Sequence, residues 1–216
     1  VQVPAALHLC KLGYTYLDDI TSYNPQTNIL TDIFIRSVKR LNPALTDLEC
    51  SQLLDKIIGI LNNDDLGKEF YTMLSSNSGV KLIDFADANN NEWHVTTEFT
   101  CENVESGDSF RPDITCFING VPLAFIEVKK PNNHDGILAE RDRINKRMRN
   151  KSFRRFINLT QLMIFSNNQE YDNENRVPIQ GAFYCCASKE KAFFNVFREA
   201  DATFVSKYQY IALTED

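Results

Sequence analysis

Apolar positions along the chain follow two different periods, and the change between them divides the sequence. The first third is helical in rhythm. Thr31 to Lys39 places Ile33, Phe34 and Val38 on one side and stops at Asn42-Pro43. Thr46 stands three residues before Glu49, the capping-box spacing, and Leu48, Leu53, Leu54, Ile57, Ile58 and Leu61 form the apolar stripe of the helix that follows. Shorter helices are predicted over Pro4 to Leu12 and Leu66 to Leu74. Beyond them the pattern shifts to short apolar runs bounded by turn residues, which read as strands. These are Val80 to Phe85 at a sheet edge, His94 to Cys101, two runs flanking Asn119-Gly120, Leu159 to Phe165, and Gln180 to Cys186. Helical spacing returns over Ile137 to Asn150, with Ile137, Ile144 and Met148 inward, and over Lys189 to Ala200, with Phe193, Phe194 and Phe197 packing. The pattern predicts one mixed α/β domain over 1–216: a mainly helical part at 1–91, a sheet core at 92–188, and a helix and tail at 189–216.

The segment from Phe110 to Pro131, FRPDITCFINGVPLAFIEVKKP, organises the sheet. Asn-Gly between two apolar runs is a strong hairpin signal. Residues i and i+2 of a strand share a face, so Glu127 and Lys129 project together while Ile126 and Val128 point the other way. Register decides whether Asp113 joins them. A two-residue loop pairs Ile118 with Val121 and turns Asp113 away from Glu127. A three-residue loop with a glycine bulge pairs Ile118 with Pro122 and sets Asp113 opposite Glu127. The second register is the expectation, because it brings an Asp, a Glu and a Lys together. Such a trio suits metal-assisted phosphodiester hydrolysis: Asp113, Glu127 and the Val128 carbonyl as ligands of Mg²⁺, and Lys129 orienting water or offsetting charge in the transition state. Taken alone, Glu-x-Lys is equally the solvated end of a strand, with Asp113 capping a turn.

Composition narrows the class. With 43% hydrophobic and 24% charged residues the chain is an ordinary globular sequence. It has no long apolar run and no signal-peptide pattern at its start, so no membrane partner is expected. The six cysteines show no CxxC pair or His spacing of a zinc site, and Cys10, Cys50 and Cys116 lie in apolar patterns and read as core thiols, which suggests the cytoplasm. The first residue is Val rather than Met, and the chain is expected to be a fragment. The overall charge of −6 hides an asymmetry: Lys129 to Arg155 holds ten Lys or Arg against Asp135, Glu140 and Asp142, or 10 − 3 = +7. A basic segment beside the carboxylate hairpin can focus an anionic partner there; taken alone it also reads as a solvated helix.

The block RPDITCFINGVPLAFIEVKKPN resembles the nuclease motif of the PD-(D/E)xK superfamily, in the form found at the amino-terminal end of the R subunit (HsdR) of type I restriction enzymes. The resemblance extends from Ala5 to Gly181 through GYTYL, LTDLECSQLLDKII, FRRFINLTQLMIFSN and QGAFY. It implies a restriction-endonuclease-like core, a mixed central sheet flanked by helices with an N-terminal helical extension. It also implies Mg²⁺-dependent cleavage of double-stranded DNA, with Mn²⁺ a possible substitute, and partners in the modification and specificity subunits. Asp113, Glu127 and Lys129 fall on the superfamily's catalytic positions. The family's Gln-x-x-x-Tyr element is not matched, since Arg141 and Asn145 hold roughly those places. Lys130, Arg141, Asn145, Arg147, Arg149 and Gln161 remain candidates for DNA contact or for support of the site, and His134 reads as a loop residue. No GxxxxGK[ST] phosphate loop occurs, so no ATP site is expected in this chain. A stand-alone nuclease of the same superfamily and a catalytically silent DNA-binding or assembly domain are the alternatives.

Overall fold

The computed structural model describes residues 2–76, 79–102, 109–131, 136–169, 181–188 and 191–196. Its frame is a seven-stranded sheet in the order β1-β2-β5-β6-β7-β8-β9. The strands are β1 (Thr15–Tyr16), β2 (Trp93–Thr97), β5 (Ile114–Ile118), β6 (Val121–Val128), β7 (Leu162–Ser166), β8 (Ala182–Cys185) and β9 (Asn195–Val196). A separate two-stranded ribbon pairs β3 (Cys101–Glu102) with β4 (Ser109–Phe110). β1 runs parallel to β2 and β6 parallel to β7, and the remaining pairs are antiparallel. The expected mixed sheet flanked by helices, with a helical N-terminal part, is what the chain forms.

Both faces of the sheet are covered, which is why its strands read as near-continuous apolar runs. On one face Val95, Ile114 and Cys116 pack with Ala124 and Ile126 against Ala5, Leu9 and Cys10 of helix α1 (Gln2–Lys11). On the other, Phe125, Met163, Phe165 and Phe183 lie beneath Ile137 and Ile144 of α5 (Gly136–Arg149) and Ile157 of α6 (Arg154–Leu159). The N-terminal helices α2 (Thr31–Leu41), α3 (Asp47–Leu61) and α4 (Lys68–Ser75) close the turn end of the β5–β6 hairpin, burying Val121 and Leu123 with Phe34, Ile57 and Phe70. The capping box at the start of α3 forms as its spacing predicted: Thr46 Oγ1 accepts from Glu49 N, and Glu49 Oε2 accepts from Thr46 N.

Several boundaries differ from the sequence reading, each for a local reason. Leu48, the second residue of α3, is 68% exposed, and the buried stripe of that helix starts at Cys50. Val80 to Phe85 is irregular rather than a strand. Its backbone is satisfied by side-chain amides, with Asn42 bonding both N–H and C=O of Lys81 and Asn119 donating to the Leu82 carbonyl. The run from His94 stops at Thr97, where Glu98 takes φ +55° and donates its N–H to the Asp113 carbonyl. Leu159 ends α6 and the strand begins three residues later. The helix expected from Lys189 is replaced over 191–196 by a coil leading into β9. There Asn145 Oδ1 captures the Ala192 N–H and Phe194 stacks on Phe165. Phe193 is 65% exposed instead of packed. Phe197, the tail and His134 lie outside the described residues.

Candidate active site

The hairpin turn sets the geometry. Asn119 and Gly120 both have positive φ, 50° and 79°, the backbone of a two-residue turn, and Ile118 pairs with Val121. The three-residue loop expected from the sequence is therefore not used. The extra residue enters further along: Phe117 pairs with Pro122 but Cys116 with Ala124, so Leu123 is bulged out of the ladder. Beyond the bulge Ile114 faces Ile126, and continuing by one residue sets Asp113 opposite Glu127. The turn is thus that of the two-residue loop, while the alignment of Asp113 with Glu127 is the one expected of the longer loop. The turn is clamped against α2, with Gly120 O accepting from Leu30 N, and Asn119 Oδ1 accepting from Glu92 N.

Asp113 anchors across the strand pair, its Oδ2 accepting from Val128 N at 2.8 Å, while its own carbonyl accepts from Gln2 Nε2 and Glu98 N. Glu127 is 5% exposed and shares its face with Leu123 and Phe125, under α5. It is thus a buried group rather than a projecting strand end. Lys129 extends the β6–β7 pairing through its N–H to the Ser166 carbonyl, and its Nζ lies 3.4 Å from Glu127 Oε2. The same ammonium lies 2.9 Å from Oε1 of Glu140, a residue of α5 that sequence reasoning passed over. Arg143 reaches that oxygen at 2.7 Å. Glu140 is 1% exposed and, among the described residues, its Oε2 has no hydrogen-bond partner. A signal for it was present, since Glu140 occupies the apolar stripe of α5 between Ile137 and Ile144, where a charge needs a reason.

The electrostatics follow from this crowding. Burial, then Glu140 and Asp113, push the Glu127 carboxyl up to about 7 against the pull of Lys129 and Arg147. Burial alone would lower the Lys129 ammonium, but Glu140, Glu127 and Asp113 outweigh it and hold the group above its ordinary value. Arg147 turns inward rather than toward solvent: its guanidinium carbon sits 3.7 Å from the centroid of the buried Phe110 ring, and burial lowers its pKa while Glu127 and Glu140 raise it.

The other candidates scatter. Lys130 is exposed at the end of β6, Arg149 is exposed on α5, and Arg141 is half-buried there beside Asp142. Asn145 is engaged with Ala192. Gln161 precedes β7 next to Leu123, four residues from Phe165, the partner of Glu127, and thus ~13 Å away along the strand. It is not brought to the site. Among the described residues no group of three or more His, Cys, Asp and Glu is arranged to hold a metal ion. The donors present are hard carboxylate oxygens that repel one another, which suits a cation taking one or two carboxylates and keeping its waters. No described helix is long and apolar enough to cross a membrane.

A relative named "Putative type I restriction enzyme MjaIXP endonuclease subunit", from Methanocaldococcus jannaschii, is 35% identical over 158 aligned positions, covering 62% of this chain and 15% of that protein. The chain therefore corresponds to a small part of that relative's length. The family model described as the type I restriction enzyme R protein N terminus matches residues 1–172, most of the chain, and the protein belongs to that family.

Proposed function

We propose that this chain is the DNA-cleaving portion of a type I restriction enzyme R subunit, hydrolysing phosphodiester bonds of double-stranded DNA with Mg²⁺, for which Mn²⁺ can substitute. Modification and specificity subunits would join it through the longer protein. The observation that carries the reading is the alignment of Asp113 with Glu127 beside Lys129, with a carboxyl at Glu127 raised to about 7 by burial and by the repulsion of its acidic neighbours. A divalent cation would relieve that repulsion. Asp113, Glu127 and the Val128 carbonyl would hold it, and when bound it supplies Lewis-acid polarisation of the phosphate and a more acidic water. Asp113 fixes the end of β6 through the Val128 N–H, so one carboxylate is held in place by the hairpin itself. The Lys129 ammonium offsets charge gathering on the phosphate oxygens in the transition state. Lys130, Arg141 and Arg149 would meet the DNA backbone without reading bases.

Purified protein incubated with plasmid DNA and Mg²⁺ should nick or linearise it, and should not with EDTA. Asp113→Ala and Glu127→Ala should each remove most cleavage and weaken Mg²⁺ binding by calorimetry. Lys129→Ala should bind the ion and lose roughly a hundredfold in rate, the ~3 kcal/mol scale of one electrostatic stabiliser. Undiminished cleavage by folded Glu127→Ala would refute the proposal.

A further inference from the structure

The Lys129 ammonium is a point charge at the end of four flexible methylenes, and its value to a transition state depends on being held in one place. Glu127 is a poor anchor for it. The contact is the longer of two, 3.4 Å, and a cation bound at Glu127 would compete with Lys129 for the same carboxylate. Glu140 comes from a different element, α5, and meets the ammonium at 2.9 Å from the other side. Its placement is otherwise hard to justify on stability. The position lies on the buried stripe of the helix, where a leucine would pack, and it carries a carboxylate that is 1% exposed and whose Oε2 has no hydrogen-bond partner among the described residues. Lys129 and Arg143, the cations that form ion pairs with it among the described residues, both reach Oε1.

We infer that Glu140 is a positioning residue for Lys129: it holds the ammonium at the mouth of the Asp113–Glu127 pair independently of whatever Glu127 binds. This rests on the nuclease reading above for its catalytic consequence, but not for the positioning itself. Arg143, which is half-exposed, braces Glu140 from the solvent side.

The test has one arm in catalysis and one outside it, both on the purified 216-residue chain. In single-turnover cleavage, Glu140→Gln should slow the rate by roughly tenfold or more at unchanged DNA affinity, and Glu140→Asp should restore part of it. Introduced into Lys129→Ala, the same Glu140→Gln change should cost less than about twofold further, because its effect passes through the lysine. Outside catalysis, acylation of amines followed by peptide mapping should find Lys129 labelled slowly beside exposed Lys130 and Lys146 in the wild type. In Glu140→Gln it should be labelled several-fold faster, with Lys130 and Lys146 unchanged. An equal loss of cleavage with and without Lys129, or unaltered labelling of Lys129, overturns the inference. If the wild type does not cleave at all, the nuclease reading fails while the labelling arm still decides whether Glu140 holds the lysine. Should Glu140→Gln fail to fold, Glu140→Gln with Arg143→Gln removes the charge imbalance and carries the same two measurements.

Discussion

Glu127→Gln should make the metal-free protein more stable, and by an amount that depends on pH. The folded chain raises this carboxyl from 4.5 to about 7 through burial and the nearby Glu140 and Asp113, with Lys129 and Arg147 pulling the other way. A carboxyl whose folded pKa is raised binds its proton more tightly in the folded state, so ionising it opposes folding. The penalty is absent below pH 4.5, where Glu127 is protonated whether the chain is folded or not. It grows between 4.5 and about 7 and is complete above that. At 1.36 kcal/mol per pH unit the interval is worth ~3 kcal/mol, an upper limit because Lys129 loses one of its two partners in the variant. Glu140 still satisfies that lysine. For a chain of this length ~1–3 kcal/mol corresponds to roughly 2–12 °C in Tm. Thermal unfolding in EDTA, followed by circular dichroism from pH 4 to 9, should show the variant and wild type nearly equal at pH 4. The variant should pull ahead through neutrality and hold a constant lead above pH 8. Millimolar Mg²⁺ at pH 8 should then raise the wild-type Tm and leave the variant where it was. A difference that does not change between pH 4 and 8, or a variant less stable than wild type at pH 8, would refute the account of Glu127 as a carboxylate under repulsion.

Other expectations follow from the hairpin and from α5. Gly120→Ala puts a Cβ 2.7 Å from the Leu30 carbonyl oxygen and 2.8 Å from the Phe34 nitrogen, at φ +79°. Neither backbone atom can yield cheaply, so chemical denaturation should report a loss of at least ~2 kcal/mol. Replacing Arg141 and Arg149 with Gln should weaken binding to unrelated duplexes equally and lower the salt slope by ~1–2, as fluorescence anisotropy over a salt series would measure. An effect confined to one sequence would contradict this. Arg147→Gln should instead reduce stability by about 1 kcal/mol through loss of its stack on Phe110, and a variant whose melting is unchanged would show that the stack contributes nothing.

By itself the sequence determined the elements whose signals are local. The capping box of α3, the extent of α5, the position of the Asn-Gly turn, though not its loop length, and the placing of Glu127 and Lys129 on one face all rest on spacing within a few residues, and they formed as the spacing implied. So did the choice of Asp113 and Glu127 as facing residues. What local signals could not supply was the route to that alignment. A turn and a bulge displaced by three residues give the same final register as a longer loop, and only the clamp of Leu30 and Glu92 on the turn favours the tight form. The absence of a strand at 80–85 and of a helix over 191–196 has one cause. Amides distant in sequence, Asn42, Asn119 and Asn145, satisfy backbone groups that local propensity would have assigned to a ladder or a helical turn. Glu140 and Arg147 illustrate the same limit at the site. Both belong to a basic, polar-looking helix, and only docking that helix over Phe110 and Phe125 turned one carboxylate and one guanidinium inward, where burial and proximity to Glu127 and Lys129 give them consequences. Spacing specifies which residues share a face of one element. Which element covers that face, and hence which charges meet, is decided by the packing of surfaces that lie far apart along the chain.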